Sequence, residues 1–94
     1  MAERNATKIR RYCDANGITI PVGFKNAAQR YAVIELSDPP KLIARTWFKQ
    51  EDVVYHLNHY QSAVPRRILD FKENAEFAYG EGKSLKRIGA FLNP

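Results

Sequence analysis

Residues 30–48 constrain the chain most, because two alternating runs there flank Ser37-Asp38-Pro39-Pro40. Pro39 pushes Asp38 out of the helical region, and neither proline has an N–H to give to a ladder, so the chain must turn. Ala32, Ile34 and Leu36 share one face of 30–36, and Tyr31 and Val33 share the other. Across the turn, Leu42, Ala44 and Phe48 alternate with Ile43, Arg45 and Trp47 over 41–48. These periods predict an antiparallel β-hairpin with both faces partly covered.

Other segments change period around this hairpin. In 2–15, Ala2, Ala6, Ile9 and Cys13 fall at helical spacing with Arg4, Lys8 and Arg11 opposite, and Gly17 can supply the left-handed residue that ends a helix. Residues 18–24 alternate but contain Pro21, which suits an edge strand or a strand-like loop. From 49 to 61, Val53, Val54, Leu57 and Tyr60 form a helical stripe, and Glu51 and Asp52 suit the positive end of that helix. A strand follows at 66–71, with Leu69 and Phe71 on one side and Ile68 on the other. A turn is expected at 72–75 and a short strand at 76–79, ended by Gly80-Glu81-Gly82. Leu85, Ile88 and Leu92 then keep helical spacing behind Ser84 as N-cap, which predicts a short C-terminal helix.

The expected fold class is α+β: an antiparallel sheet of three to four strands, one long helix on a face, and the N-terminal helix beside it. Ninety-four residues hold one core, so 1–94 is expected to be a single small domain. Val53, Leu57 and Tyr60 are expected inside it, and His59 outside.

Cys13 is the lone cysteine, which excludes an internal disulfide and a cysteine-based zinc site and favours a reducing compartment. With no secretory leader pattern and no apolar run long enough for a membrane span, a cytoplasmic location without membrane contact is expected. Fifteen Lys and Arg against ten Asp and Glu give a net charge of +5. Such a balance attracts polyanions and equally keeps a small protein in solution.

Asp52, Tyr55, His56 and His59 are neighbours on one face of the second helix. Asp52, His56 and His59 could ligate a divalent metal, or Asp52 could orient His56 as a base. The spacing is not the His-Glu-x-x-His of metalloproteases, and a solvent-facing helix side carries the same residue types. No metal and no cofactor is assigned. Cys13 falls on an apolar face, and Ser37, Ser62 and Ser84 lack a nucleophile-elbow sequence. Residues 80–84 end in Gly-Lys-Ser, but Phe77 stands where a phosphate loop needs its first glycine.

Three basic groups form a second candidate site: Arg4, Lys8 and Arg11; Arg66 and Arg67; and Lys83, Lys86 and Arg87. If they share a side they could track a phosphate backbone, with Tyr12, Tyr31 or Trp47 as stacking surfaces. The run GKSLKRIGAFLNP at 82–94 resembles the opening helix of many helix-turn-helix DNA-binding domains. That resemblance covers 13 residues, and the turn and recognition helix would have to follow them.

The expected function is a non-enzymatic interaction module for a partner protein or for itself. A nucleic-acid-binding accessory protein is the alternative, and a small metal-dependent enzyme at His56 and His59 the second alternative. For self-association the candidate surface is Tyr31, Val33, Ile43 and Trp47, aligned on the hairpin's second face and expected to meet a copy, as a homodimer, or a partner.

Overall fold

The computed structural model describes residues 4–22, 24, 29–60, 64–79 and 85–92. Ala2, Ser62, Lys83, Ser84, the 25–28 connection and the 80–82 break lie outside them.

The hairpin forms as its alternation requires. Strand β1, Tyr31–Glu35, pairs antiparallel with β2, Lys41–Trp47, and Ser37 Oγ donates to Pro39 O across the turn at 2.9 Å. The register is irregular: Ile34 faces Leu42 and Ala32 faces Thr46, so β2 has Ile43, Ala44 and Arg45 where β1 has only Val33. A bulge of this kind bends the strand and swings residues off the sheet surface. Ala44 and Arg45 are accordingly exposed, while Leu42 and Trp47 on either side are buried.

Strands β3, Arg66–Asp70, β4, Ala75–Tyr79, and β5, Leu85–Ala90, complete a five-stranded antiparallel sheet of order β2-β1-β3-β4-β5. The fifth strand corrects the expected C-terminal helix. It answers β4, whose outer N–H and C=O groups need partners. Leu85 pairs with Tyr79, Arg87 with Phe77 and Ala90 with Ala75. Gly89 weakens a helix more than an edge strand, and the strand path delivers Phe91 to the core, with its ring 5.2 Å from that of Phe71. The helix-turn-helix resemblance therefore does not correspond to a helix.

Helix α1, Asn5–Asn16, closes on Gly17 at φ 66°, the left-handed position foreseen for it. It buries Ala6, Ile9 and Cys13, the latter two packing on Ala32, Ile34, Leu42, Leu69 and Phe71. Helix α2, Gln50–His59, presses Val53 and Leu57 onto Tyr31, Val33, Trp47 and Ile68 on the other face. The helices thus cover opposite faces and do not lie side by side, which corrects the expected arrangement. The cause is the two-faced alternation of β1 and β3, which needs a lid on each side.

Two further expectations fall with it. Tyr31, Val33 and Trp47 are core residues at 2%, 0% and 3% exposure, with Ile43 packed against them, so the proposed self-association patch lies under α2. Tyr60 is 59% exposed, because α2 ends at His59 and Tyr60 leaves the helical path at φ −105°, ψ 80°. His59 is exposed as expected.

Candidate functional site

A cleft of about 650 Å³ opens between the second half of β2 and α2. Its strand side is set by the β2 bulge, which leaves Arg45 facing out and returns Trp47 to the core, and by the end of β2 at Trp47, past which Phe48 is 70% exposed. Its helix side carries Asp52, Tyr55, His56 and His59, and Tyr60 closes the end. The face read from helical spacing is therefore the face that lines the cleft.

Rings make up most of the lining. Trp47 and His56 lie 5.0 Å apart, His56 and Tyr60 4.7 Å, and Tyr55 stacks on His59 at 5.7 Å with an interplanar angle of 9°. The Arg45 guanidinium sits 5.4 Å from the Trp47 ring centre, a cation–π position that holds the planar fork in place. Among the described residues the ion pairs are Arg30–Asp70 and Arg67–Glu76, so Arg45 has no carboxylate partner there.

Burial lowers the basicity of His56, and the charges of Arg45 and Arg66 and neighbouring His59 push the same way. That shift favours the neutral imidazole, a form fit for stacking and for one donated and one accepted hydrogen bond. Asp52 and Arg45 both line the cleft, so its formal charges balance. Among the described residues no three His, Cys, Asp or Glu side chains converge to hold a metal ion, so Asp52, His56 and His59 share a cleft without forming a metal centre. Elsewhere, burial pushes the Cys13 thiol up to about 11, which keeps it protonated and poorly nucleophilic.

The seven basic candidates among the described residues do not share a face. Arg66 is buried and donates to Tyr60 O at 2.7 Å and Leu57 O at 3.2 Å, capping the C-terminal carbonyls of α2 while its guanidinium lies over Tyr79. Arg67 points to the opposite side and pairs with Glu76 at 3.0 Å, which also accepts the Tyr12 hydroxyl at 2.6 Å. Strand alternation splits the next pair too: Lys86 lies opposite Ala78 on the α1 side, and Arg87 opposite Phe77 on the α2 side. Arg4 and Arg11 are exposed along α1 and Lys8 is half-buried. A second groove of about 660 Å³ runs past Arg11, Tyr12, Arg67 and Glu76, and the Tyr12–Glu76–Arg67 bonds cross it.

Arg45 and Phe48, with Phe24, Gln29, Ala44 and Thr46, are cleft residues that the sequence did not single out. Arg45 left a signal, since residues two apart on a strand share a face and Trp47 follows it at that spacing. Phe48 left none, because its exposure depends on where β2 stops. Comparisons with protein-family models, with curated proteins and with solved structures find no match for this chain.

Proposed function

We propose that this chain is a non-enzymatic interaction module, and that its β2–α2 cleft binds a segment of another polypeptide. One observation carries the reading: Phe48, Tyr55 and Tyr60, at 70%, 69% and 59%, are the exposed large aromatic side chains among the described residues, and all three border this cleft. Leaving that much aromatic area in water is unfavourable unless something covers it. Tyrosine, tryptophan and arginine around a desolvated centre are also the composition of binding hot spots. The near balance of charge suits a polypeptide better than a polyanion, whose affinity depends on several unopposed cations.

The test is selection of random octapeptides displayed on phage against the full chain, with enriched peptides resynthesised and titrated by fluorescence anisotropy. The expected result is peptides whose affinity drops at least about tenfold in Tyr55→Ala and in Phe48→Ala, the scale of a hot-spot loss. Both side chains are exposed, so both variants should fold. Peptides indifferent to both substitutions, or no enrichment, would overturn the proposal.

The nucleic-acid alternative keeps one supporting feature, Arg4, Lys8 and Arg11 along α1 with Lys86 on the same side of the sheet. A labelled single-stranded oligonucleotide distinguishes it. Phosphate contacts would give binding that collapses with added salt and with neutralisation of α1 but ignores Tyr55→Ala.

A further inference from the structure

We infer that the cleft is acid-sensitive, a proton taken up by His56 weakening its hold on the bound segment, so that occupancy follows pH in the range where histidine titrates; this rests on the interaction reading above. Of the two histidines on α2, His56 is half-buried and His59 exposed. The His56 ring stands between two walls of the cleft, 5.0 Å from Trp47 of β2 and 4.7 Å from Tyr60 past the end of α2. Each wall is tied to a fixed cation. Arg45 lies over Trp47 at 5.4 Å, and Arg66 donates to Tyr60 O at 2.7 Å and to Leu57 O at 3.2 Å.

The surroundings of the ring are one-sided. Burial opposes a proton on His56, and so do Arg45 from β2, Arg66 from β3 and His59 on α2 itself. Asp52, one turn earlier on α2, lines the same cleft, but among the described residues no ion pair joins it to His56. β1 and β4 contribute the Tyr31 and Tyr79 hydroxyls, which are uncharged at the pH values concerned. By strand register, Glu35 of β1, Asp70 of β3 and Arg87 of β5 also lie on the α2 side. Asp70 is engaged by Arg30, and none of these three is among the charges acting on His56.

Covering the cleft strengthens that opposition. In the open cleft, water screens the like charges. A segment seated on Phe48, Tyr55 and Tyr60 displaces that water from the space that His56 and Arg45 line, and like charges repel more strongly there. Neither arginine can retreat without giving up the ring it covers or the carbonyls it caps. Proton and segment therefore oppose each other, and by linkage each weakens the binding of the other by the same factor. The sign follows from the protonation state: the segment is held while His56 is neutral and is released as pH falls through its folded-state value, which lies below the ordinary 6.5.

The probes are the selected octapeptides, titrated at stepped pH from 7.5 to 5 against the wild type and against His56→Phe, so that titration of the peptide itself cancels. Circular dichroism in the same buffers follows the folded fraction. Between these limits the wild-type Kd should rise about threefold or more beyond the change seen in His56→Phe, the effect of one linked proton, whatever the Kd of that variant at pH 7.5. His59→Gln should keep most of the rise. In NMR titrations, saturating peptide should lower the pKa of His56 further, the reciprocal of the same coupling. A rise equal in the wild type and His56→Phe, one that only tracks unfolding, or a His56 pKa that peptide leaves unmoved overturns the acid sensitivity, and peptides that need Tyr55 and Phe48 keep the interaction reading. Peptides that ignore both side chains, or a failed selection, overturn both.

Discussion

Arg66 and Asp70, at 7% and 2% exposure, are the charged residues the fold buries among those described. Both are occupied structurally. Asp70 accepts Arg30 Nε at 3.0 Å and Nη2 at 2.9 Å, and the N–H groups of Lys72 and Glu73 at 3.0 and 3.3 Å. Burial alone would raise its pKa, but the Arg30 bonds and the two backbone donors outweigh it and hold the carboxyl below its ordinary value. A depressed carboxyl contributes stability that is present above the unfolded-state pKa of about 4 and is lost as pH falls through the folded value. Asp70→Asn should therefore cost about 2 kcal/mol near neutral pH, the worth of charge-assisted bonds, and flatten the loss of stability below about pH 4. Urea melts at stepped pH measure both. Arg66→Met should likewise destabilise by about 2–3 kcal/mol, because it uncaps the last carbonyls of α2 in a buried place. Oligonucleotide binding, if any, should not change, whereas a phosphate-contacting Arg66 would reduce it.

At the scale of elements, α2 joins the fold to the candidate site. Val53 and Leu57 hold it to the sheet while His56, on its flank, faces Arg45 from β2, Arg66 from β3 and His59 from its own helix. The lowered pKa means that the folded state resists protonation. Stability is then full above the unfolded histidine value of about 6.5 and declines as pH falls through the folded value. Circular dichroism melts should show a Tm that falls from pH 7 to pH 5, and His56→Phe should remove much of that slope while keeping a ring against Trp47. A slope unchanged in the variant would place the sensitivity elsewhere. This helix was readable in the sequence down to Asp52, Tyr55, His56 and His59 on its cleft side, because Val53 and Leu57 fix the opposite face, whereas Tyr60, read as the end of that stripe, falls past the helix end and lines the cleft. The C-terminal element was not. Leu85, Ile88 and Leu92 fit a helix and Ile88, Ala90 and Leu92 fit a strand, and the outcome was decided by the unpaired edge of β4, which is a tertiary fact.

For the whole molecule, the decisive arrangement is one helix on each face of a single sheet. The hairpin was legible because proline chemistry and alternation agree over 30–48. Which helix covers which face was not, since both amphipathic stripes match an apolar surface equally well. Reading Tyr31, Val33, Ile43 and Trp47 as an exposed surface followed from assigning both helices to the same side. The two arrangements separate in one experiment. A surface tryptophan at a dimer contact would leave the monomer intact when replaced, and Trp47→Ala would act on sedimentation alone. A tryptophan at 3% exposure, packed by Tyr31, Val53 and Leu57, acts on folding. Trp47→Ala should lower the unfolding free energy by about 4 kcal/mol, the usual cost of emptying a large aromatic site in a core. A domain of this size holds about 5–15 kcal/mol in total, so the variant should be close to unfolding at 37 °C. It should also lose the ring beneath Arg45 and so weaken any cleft ligand beyond what its folded fraction explains. A variant with wild-type melting and altered sedimentation would instead return Trp47 to the surface and refute the two-sided packing.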